Sequence, residues 1–249
     1  MQAVIIAGGR GSRLGQMSAT LPKALVGILG RPLLDYTLDL LRRSRVREVI
    51  LCTGHLAEEI ETFVGDGSVW RLRVRYSRES SPLGTAGCLS AIQPLLAGDF
   101  LVLYADLLME LDLMALAEFH RHSAADATLV VHPNGHPHDS DLVTLDADSR
   151  IQALHKKPHP PGPLPSDLVS AACYVLRPTM LDLLVPGEKA DCFHDLFSRA
   201  LARGRKLFGY RTAEYLKDAG TPDRLKQVED DLRSGRVNPP RPASSTIHL

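Results

Sequence analysis

The chain has 249 residues, 44% of them hydrophobic, and its 29 basic side chains balance 29 acidic ones, so the formal net charge is zero. That size and balance suit an α/β protein with one main domain and exclude the broad positive field of a nucleic-acid binder or an anionic-membrane binder. No apolar run is long enough to cross a bilayer. The N-terminus leads into a strand without a basic leader or cleavage site, and Cys52, Cys88, Cys173 and Cys192 show no metal-like spacing, so buried free thiols in a cytoplasmic protein are expected.

Residues 2–7 (QAVIIA) are continuously apolar and predict a buried strand. Over 32–44, Leu34, Leu38 and Leu41 recur at helical spacing behind Pro32 and predict a core-facing helix. A second buried strand is expected at 47–53 (REVILCT) and a second helix at 55–64. RLRVRYS (71–77) alternates like a strand with one polar face. A short helix is expected over 85–96, then an apolar strand at 99–106 (DFLVLYAD) ending in a carboxylate, then a helix over 111–123. Strand and helix alternate, which predicts a doubly wound, mostly parallel, Rossmann-like α/β sheet.

After residue 124 the pattern changes. ATLVVH, DLVTLD, RIQALHKK and LVSAACYVLR read as short strands separated by turns and by the loop at 158–167, as in a small antiparallel flap. A helix is expected over 190–204 and a strand in KLFGYRT. The helix over 221–235 opens with a Thr cap and a proline at its first position. These readings give a domain over 1–235, with the main sheet at about 1–124 and the flap at about 125–215. The Pro- and Ser-rich stretch 236–249 reads as a disordered tail or a severed linker.

The chemistry concentrates at the end of the first strand. Gly8, Gly9 and Gly11 allow backbone N–H groups to approach a ligand and to turn with positive φ. Arg13 adds a forked donor for phosphate oxygens and Lys23 a point charge. The set suits a triphosphate. A glycine turn with surface arginines is the plain alternative. A dinucleotide fold would need a third glycine where Leu14 stands and an acid at the end of the second strand, and a P-loop would need Gly-Lys-Ser/Thr.

The stretches GGRGSRL…LPKAL, ESSPLGTAGCL (79–89), LVLYADLL and YLKDAGTPDRL (215–225) occur in the order and with the spacing of the sugar-1-phosphate nucleotidyltransferases, and the chain resembles that family over residues 2–233. Within it, the likeness runs to heptose 1-phosphate guanylyltransferases, some of which are fused to a heptose bisphosphate phosphatase, so functional pairing with such a phosphatase is expected. The resemblance implies in-line attack of a sugar phosphate oxygen on the α-phosphorus of a nucleoside triphosphate, GTP and heptose 1-phosphate being favoured, with Mg²⁺ and without a protein nucleophile. ATP, CTP or dTTP chemistry, or a non-catalytic nucleotide-binding paralogue, are the other readings, and a homodimer is the default assembly.

The same resemblance assigns Arg13, Lys23, Asp106 and Asp218 to catalysis and Asp106 and Asp218 to the metal. It assigns Ala7, Gly8, Gly9, Gly11, Ser12, Arg13, Leu83, Gly84 and Thr85 to the nucleotide, with Gly84 against the base; Glu79 joins them on its chemistry alone, as a carboxylate able to accept guanine N1–H and N2–H. Asp141, His155, Lys157 and Ser170 fall to the sugar phosphate. Read alone, Asp106 could be a helix-start carboxylate, Asp218 a turn residue, Lys157 a solvated lysine and Glu79 a salt-bridge partner.

The pattern breaks in the sugar half. Lys156 stands where the family has a glutamate that accepts from sugar hydroxyls, and an ammonium cannot accept. Ser140-Asp141 replaces Tyr-Gly, Ser170-Ala171-Ala172 replaces Asn-Ala-Gly, and Ala105 replaces the glycine before the metal aspartate. The sugar pocket is therefore expected to be rebuilt, with Asp141 and His155 supplying contacts. The alternative is a chain that keeps nucleotide binding without turnover. His132, His136, His138, His155 and His159 lack zinc-site spacing and read as a polar loop.

Overall fold

The computed structural model describes residues 1–9, 11, 21–134, 137–237 and 239. In chain order the strands are β1 Gln2–Ile6, β2 Gly27–Ile28, β3 Arg31–Pro32, β4 Glu48–Thr53, β5 Arg73–Arg78, β6 Phe100–Tyr104, β7 Leu107–Glu110, β8 Ala127–Pro133, β9 Leu142–Leu145, β10 Ile151–His155, β11 Leu168–Leu176, β12 Leu207–Arg211 and β13 Tyr215–Asp218. The helices are α1 Leu33–Arg43, α2 Ala57–Val64, α3 Gly84–Ile92, α4 Leu113–His122, α5 Ser198–Ala202 and α6 Pro222–Arg233. Most expected elements form with ends shifted by a residue or two, but the helix expected over 85–96 ends at Ile92 and a 3-10 turn follows over Gln93–Leu95. The β7 and β13 strands and the two-residue pair β2–β3 were not expected.

The chain divides into two compact units: Met1–Pro82 with Leu103–Asp112 and the chain from Glu214, and Leu83–Val102 with Leu113–Ala213. They interleave instead of dividing near residue 124. In the second unit, α3 sets its Gly87 N–H on the Ala190 carbonyl and α4 bonds β8 through His120 and Thr128. β13 and α6 return to the first unit.

In the first unit the strand order is β6-β1-β4-β5. β1 pairs parallel to β4, and β4 parallel to β5. Leu34, Leu38 and Leu41 of α1 are fully buried, as the helical spacing predicts. The same helix also buries two carboxylates, Asp35 and Asp39, each only 1% exposed. Asp35 accepts from the Arg31 guanidinium and from Trp70 Nε1 at 2.6 Å. Asp39 accepts from Arg42 at 2.7 Å and Arg43 at 3.2 Å, and Arg43 reaches Glu110 of β7 at 2.8 Å. Charges this deep are tolerated because each has a partner and directed hydrogen bonds.

α6 starts as its sequence predicts. Thr221 Oγ1 accepts from Arg224 N–H and Pro222 occupies the first turn. Tyr215 and Lys217 of β13 both donate to Asp231 of α6, at 2.9 and 2.8 Å. Burial opposes ionisation of Asp231, but the Lys217 and Tyr215 donors and the Arg236 charge outweigh it and hold its carboxyl below the usual range. Arg236 pairs with Asp231, and Val237 is buried in the cluster of Val26, Ile28, Leu33, Ala219 and Val228. Arg236 and Val237 thus have a charge and an apolar surface to satisfy. Residues 238 and 240–249 lie outside the described residues.

In the second unit the order is β10-β9-β11-β6, and β8 pairs with both β11 and β12. The pairs β10–β9, β11–β9 and β11–β8 are antiparallel, as expected of a flap, but β12 runs parallel to β8. The helix expected over 190–204 opens instead as a π-helical turn over Cys192–Phe197. Asp191 sets that turn, its side chain accepting from Phe193 and His194 N–H while its carbonyl accepts from Leu196 N–H five residues on. All four cysteines are free and buried.

His120 is 1% exposed, with Nδ1 against Thr128 Oγ1 at 2.8 Å and Nε2 without a hydrogen-bond partner. Burial depresses its pKa, opposed by the Asp99 carboxylate. The unfolded chain takes up this proton near its ordinary value of about 6.5 while the folded chain resists, so this contribution to stability is present above that pH and is lost below it. Urea unfolding at pH 7.5 and 5.5 should show the loss, and His120→Gln should reduce the difference between the two pH values. In the first unit, Asp35→Ala strips the acceptor from Trp70 and removes the carboxylate that pairs with the buried Arg31 guanidinium. A loss of about 3 kcal/mol in unfolding free energy is expected, read from the urea midpoint.

Candidate functional site

The carboxyl ends of the first unit's strands collect the predicted residues. Ala7 and Gly8 follow β1, Gly54 follows β4 and Glu79 follows β5. Ala7 N–H donates to Cys52 O at 2.8 Å and Glu79 N–H to Thr53 O at 2.9 Å, which extends the parallel ladder into the site. The Glu79 carboxylate lies where side chains at Gly8 and Gly54 would otherwise sit. Both glycines are therefore required for that carboxylate to cover the strand ends. Among the described residues, nothing lies within 4 Å of where a Gly9 Cβ would be, and Gly11 has φ +62°, the left-handed turn that glycine favours. Ser12 and Arg13 lie outside the described residues.

A second cluster forms around the residue after β6. Asp106 pairs with Lys23, whose ammonium is mostly buried. β13 runs antiparallel to β7 with Asp218 opposite Leu107, the neighbour of Asp106, and Ala219 N–H donates to the Asp106 carbonyl at 2.9 Å. Gly220 closes the group. A Cβ there would lie 2.7 Å from Lys23 Nζ and 2.9 Å from Asp218 Oδ1. Asp218 also accepts from Gly220 N–H at 3.2 Å and from Arg224 Nη1 at 2.5 Å. Lys23, Asp106 and Asp218, singled out on separate motifs, thus come together. Arg224 was not foreseen; its place one turn into the helix that Thr221 caps is the only sequence signal for it.

In the second unit, Leu83, Gly84 and Thr85 form the start of α3. The direction in which Gly84 lacks a side chain is filled by the Ala190 carbonyl, 2.5 Å from where a Cβ would be, at φ +76°. Ala190 N–H donates to Leu83 O, and Thr85 Oγ1 donates to Asp191 and accepts from Cys192 N–H. The close backbone approach expected of Gly84 is made here by this chain's own residues.

Asp141, Lys157 and Ser170 are also brought together. Asp141 Oδ1 accepts from Lys157 N–H at 3.0 Å, and its carbonyl accepts from Ser170 N–H at 3.3 Å. Lys157 Nζ donates to Asp139 O at 2.9 Å. His155 is engaged elsewhere, its Nε2 2.8 Å from Thr144 Oγ1. His194, which no motif pointed to, occupies the side of Asp141, with Nε2 3.2 Å from both carboxylate oxygens. Lys156 donates to the His194 carbonyl at 2.6 Å. Among the histidines of the polar stretch, His159 bonds Ser140 O at 2.7 Å, and His136 lies outside the described residues.

The nucleotidyl transferase family pattern matches residues 2–235. The chain is 32% identical to a mannose-1-phosphate guanylyltransferase of Mycobacterium tuberculosis, over 94% of this chain and 65% of that protein. It thus spans just under two thirds of that relative's length. It is 28% identical to a D-glycero-alpha-D-manno-heptose 1-phosphate guanylyltransferase of Aneurinibacillus thermoaerophilus, over 94% of this chain and 99% of that one. The fold matches the crystal structure of HddC from Yersinia pseudotuberculosis complexed with GMP-PN, with a TM-score of 0.78 at 23% identity, covering 93% of this chain and 99% of the other. Among the described residues, no helix is long and apolar enough to cross a membrane.

Gly84→Ala should lower the unfolding free energy by more than about 1 kcal/mol, read from the urea midpoint, since the new methyl meets a carbonyl at a positive φ. Gly9→Ala, with open space and no positive φ, is the control expected to leave stability unchanged.

Proposed function

This chain belongs to the nucleotidyl transferase family, and from that membership we propose that it transfers a nucleotidyl group from a nucleoside triphosphate to a sugar 1-phosphate, releasing diphosphate. GTP is the nucleotide and a heptose 1-phosphate the sugar. The observation that carries the reading is the gathering of Lys23, Asp106 and Asp218 around Gly220 at the strand ends. The names of the mycobacterial and Aneurinibacillus relatives support the base. The second of these, spanned nearly end to end, supports the sugar. Glu79, over Gly8 and Gly54, offers an acceptor for the N1–H and N2–H donors that distinguish guanine from adenine.

The donor set fits Mg²⁺. Among the described residues, no group of three or more His, Cys, Asp or Glu is placed to hold a metal ion. Two carboxylates without soft ligands suit an ion that takes one or two carboxylates and completes its shell with phosphate oxygens and water. Asp106 and Asp218 would hold it, and once bound it would draw negative charge from the reacting phosphates.

The chain's own residues supply the rest. A sugar phosphate oxygen forms the new bond to the α-phosphorus as the bond to the diphosphate breaks, and no proton need pass to the protein. Lys23 already stands as the cation of Asp106, so its ammonium is placed to exchange that partner for a phosphate oxygen as charge builds up. Arg224 restrains Asp218 in the same way. Gly220 keeps the space between Lys23 and Asp218 clear of carbon. Lys157, beside Asp141, is the cation for the sugar phosphate. The reaction belongs in the cytoplasm, where a heptose bisphosphate phosphatase would supply its sugar 1-phosphate.

Diphosphate release should be measured with GTP, ATP, CTP, UTP and dTTP against mannose, glucose and heptose 1-phosphates in the presence of Mg²⁺. GTP with heptose 1-phosphate should give the highest rate. Release with another triphosphate alone would transfer the reading to that base, and GTP binding without release would mark a nucleotide-binding paralogue. Asp106→Asn and Asp218→Asn should each cut the rate by about 10²–10³ or more while the thermal midpoint is kept.

A further inference from the structure

The carboxylate that Lys156 displaces has a counterpart elsewhere in the second unit. Lys156 donates its ammonium to the backbone carbonyl of His194, so its charge braces the turn that carries the imidazole. Asp191 fixes the other end of that turn, accepting from Phe193 and His194 N–H at 2.9 Å and from the Thr85 hydroxyl at 2.7 Å. The imidazole is thereby presented to Asp141.

An ionised carboxylate can only accept. His194 therefore carries its hydrogen on Nε2, facing Asp141, and in the neutral ring Nδ1 keeps a free lone pair. His194 Nδ1 has no hydrogen-bond partner among the described residues, and the side chain is 40% exposed. Asp141 is 21% exposed. Its Oδ1 is taken by Lys157 N–H and shares the imidazole hydrogen with Oδ2, so acceptor capacity is left on Oδ2.

We propose that Asp141 and His194 form a two-acceptor element that recognises two hydroxyls of a neutral, polyhydroxylated sugar 1-phosphate, with Asp141 Oδ2 and His194 Nδ1 each accepting from one hydroxyl. Lys156 and Asp191 are positioning residues. They act only through the imidazole. The inference rests on the sugar 1-phosphate reading above and adds the class of sugar. A uronic acid 1-phosphate, or one with an acyl oxygen at this point, would set acceptor against acceptor and be rejected.

The test is His194→Phe, which keeps a ring but removes both nitrogens, beside His194→Gln, whose amide can donate to Asp141 and offer a carbonyl acceptor. Steady-state kinetics with GTP and heptose 1-phosphate are paired with direct calorimetric binding of the sugar 1-phosphate. The Phe variant should raise the sugar phosphate KM by about tenfold or more, as one lost hydrogen bond to substrate would. Its KM for GTP and its thermal midpoint should stay at wild-type values, and the Gln variant should recover most of the loss. An unchanged sugar KM in the Phe variant would overturn the inference. So would an equal loss for both substrates that Gln does not repair. If the wild type binds the sugar phosphate, the Phe variant does not, and neither releases diphosphate, the recognition element stands and the transfer reading falls. If the wild type binds no sugar phosphate, both fall.

Discussion

The antiparallel pairing of β13 with β7 decides most of what the first unit can do. Its register places Asp218 opposite Leu107, directly after Asp106. Two carboxylates from distant parts of the chain are thereby set side by side by backbone amides, which is a costly arrangement for like charges. Lys23 and Arg224 offset that cost, one for each carboxylate. Gly220 is the residue that lets Lys23 and Asp218 share the space. Removing the pairing would leave the same residue types with no common target.

That pairing is itself held by buried polar contacts. Tyr215 and Lys217 on β13 clamp onto Asp231 of α6. α6 is seated by Val228 in the apolar cluster that also takes Val26, Leu33 and Ala219. On the other strand, Glu110 of β7 is tied to Arg43, and so to the Asp39 and Asp35 network inside α1. Partnered charges of this kind contribute little net stability, but each one fixes a direction. An apolar helix can slide on its neighbour. A helix whose Asp35 must meet Trp70 and whose Arg43 must meet Glu110 of β7 cannot.

The second unit follows a different course. Lys156 stands where a carboxylate is expected and bonds the His194 carbonyl, while the His194 ring bonds Asp141. Asp141, Lys157 and Ser170 could be named from motif positions, and the structure does set them together. His194 could not be named, because it lies in a stretch that reads as an ordinary helix. Asp191 opens that stretch as a π turn, which determines where the ring points. His155 has its Nε2 on Thr144, a partner that no motif position indicated. Gly84 was read as room for a ligand, and its open side is filled by Ala190.

What the sequence determined by itself was local. Apolar runs and helical spacing gave the strands and helices of the sheet, Thr221 and Pro222 gave the start of α6, and the motif order gave the family and the aspartates, lysine and glycines at the strand ends. Each of these signals is read within a few consecutive residues, the distance over which short-range sterics and capping act. Only the tertiary structure decided the partners: Asp218 opposite Leu107 next to Asp106, Lys156 on the His194 carbonyl, and His194 on Asp141. Each of those depends on strand register or on a turn's geometry between segments far apart in the chain. A one-residue slip in either would turn the side chains to the opposite face while leaving every local pattern intact.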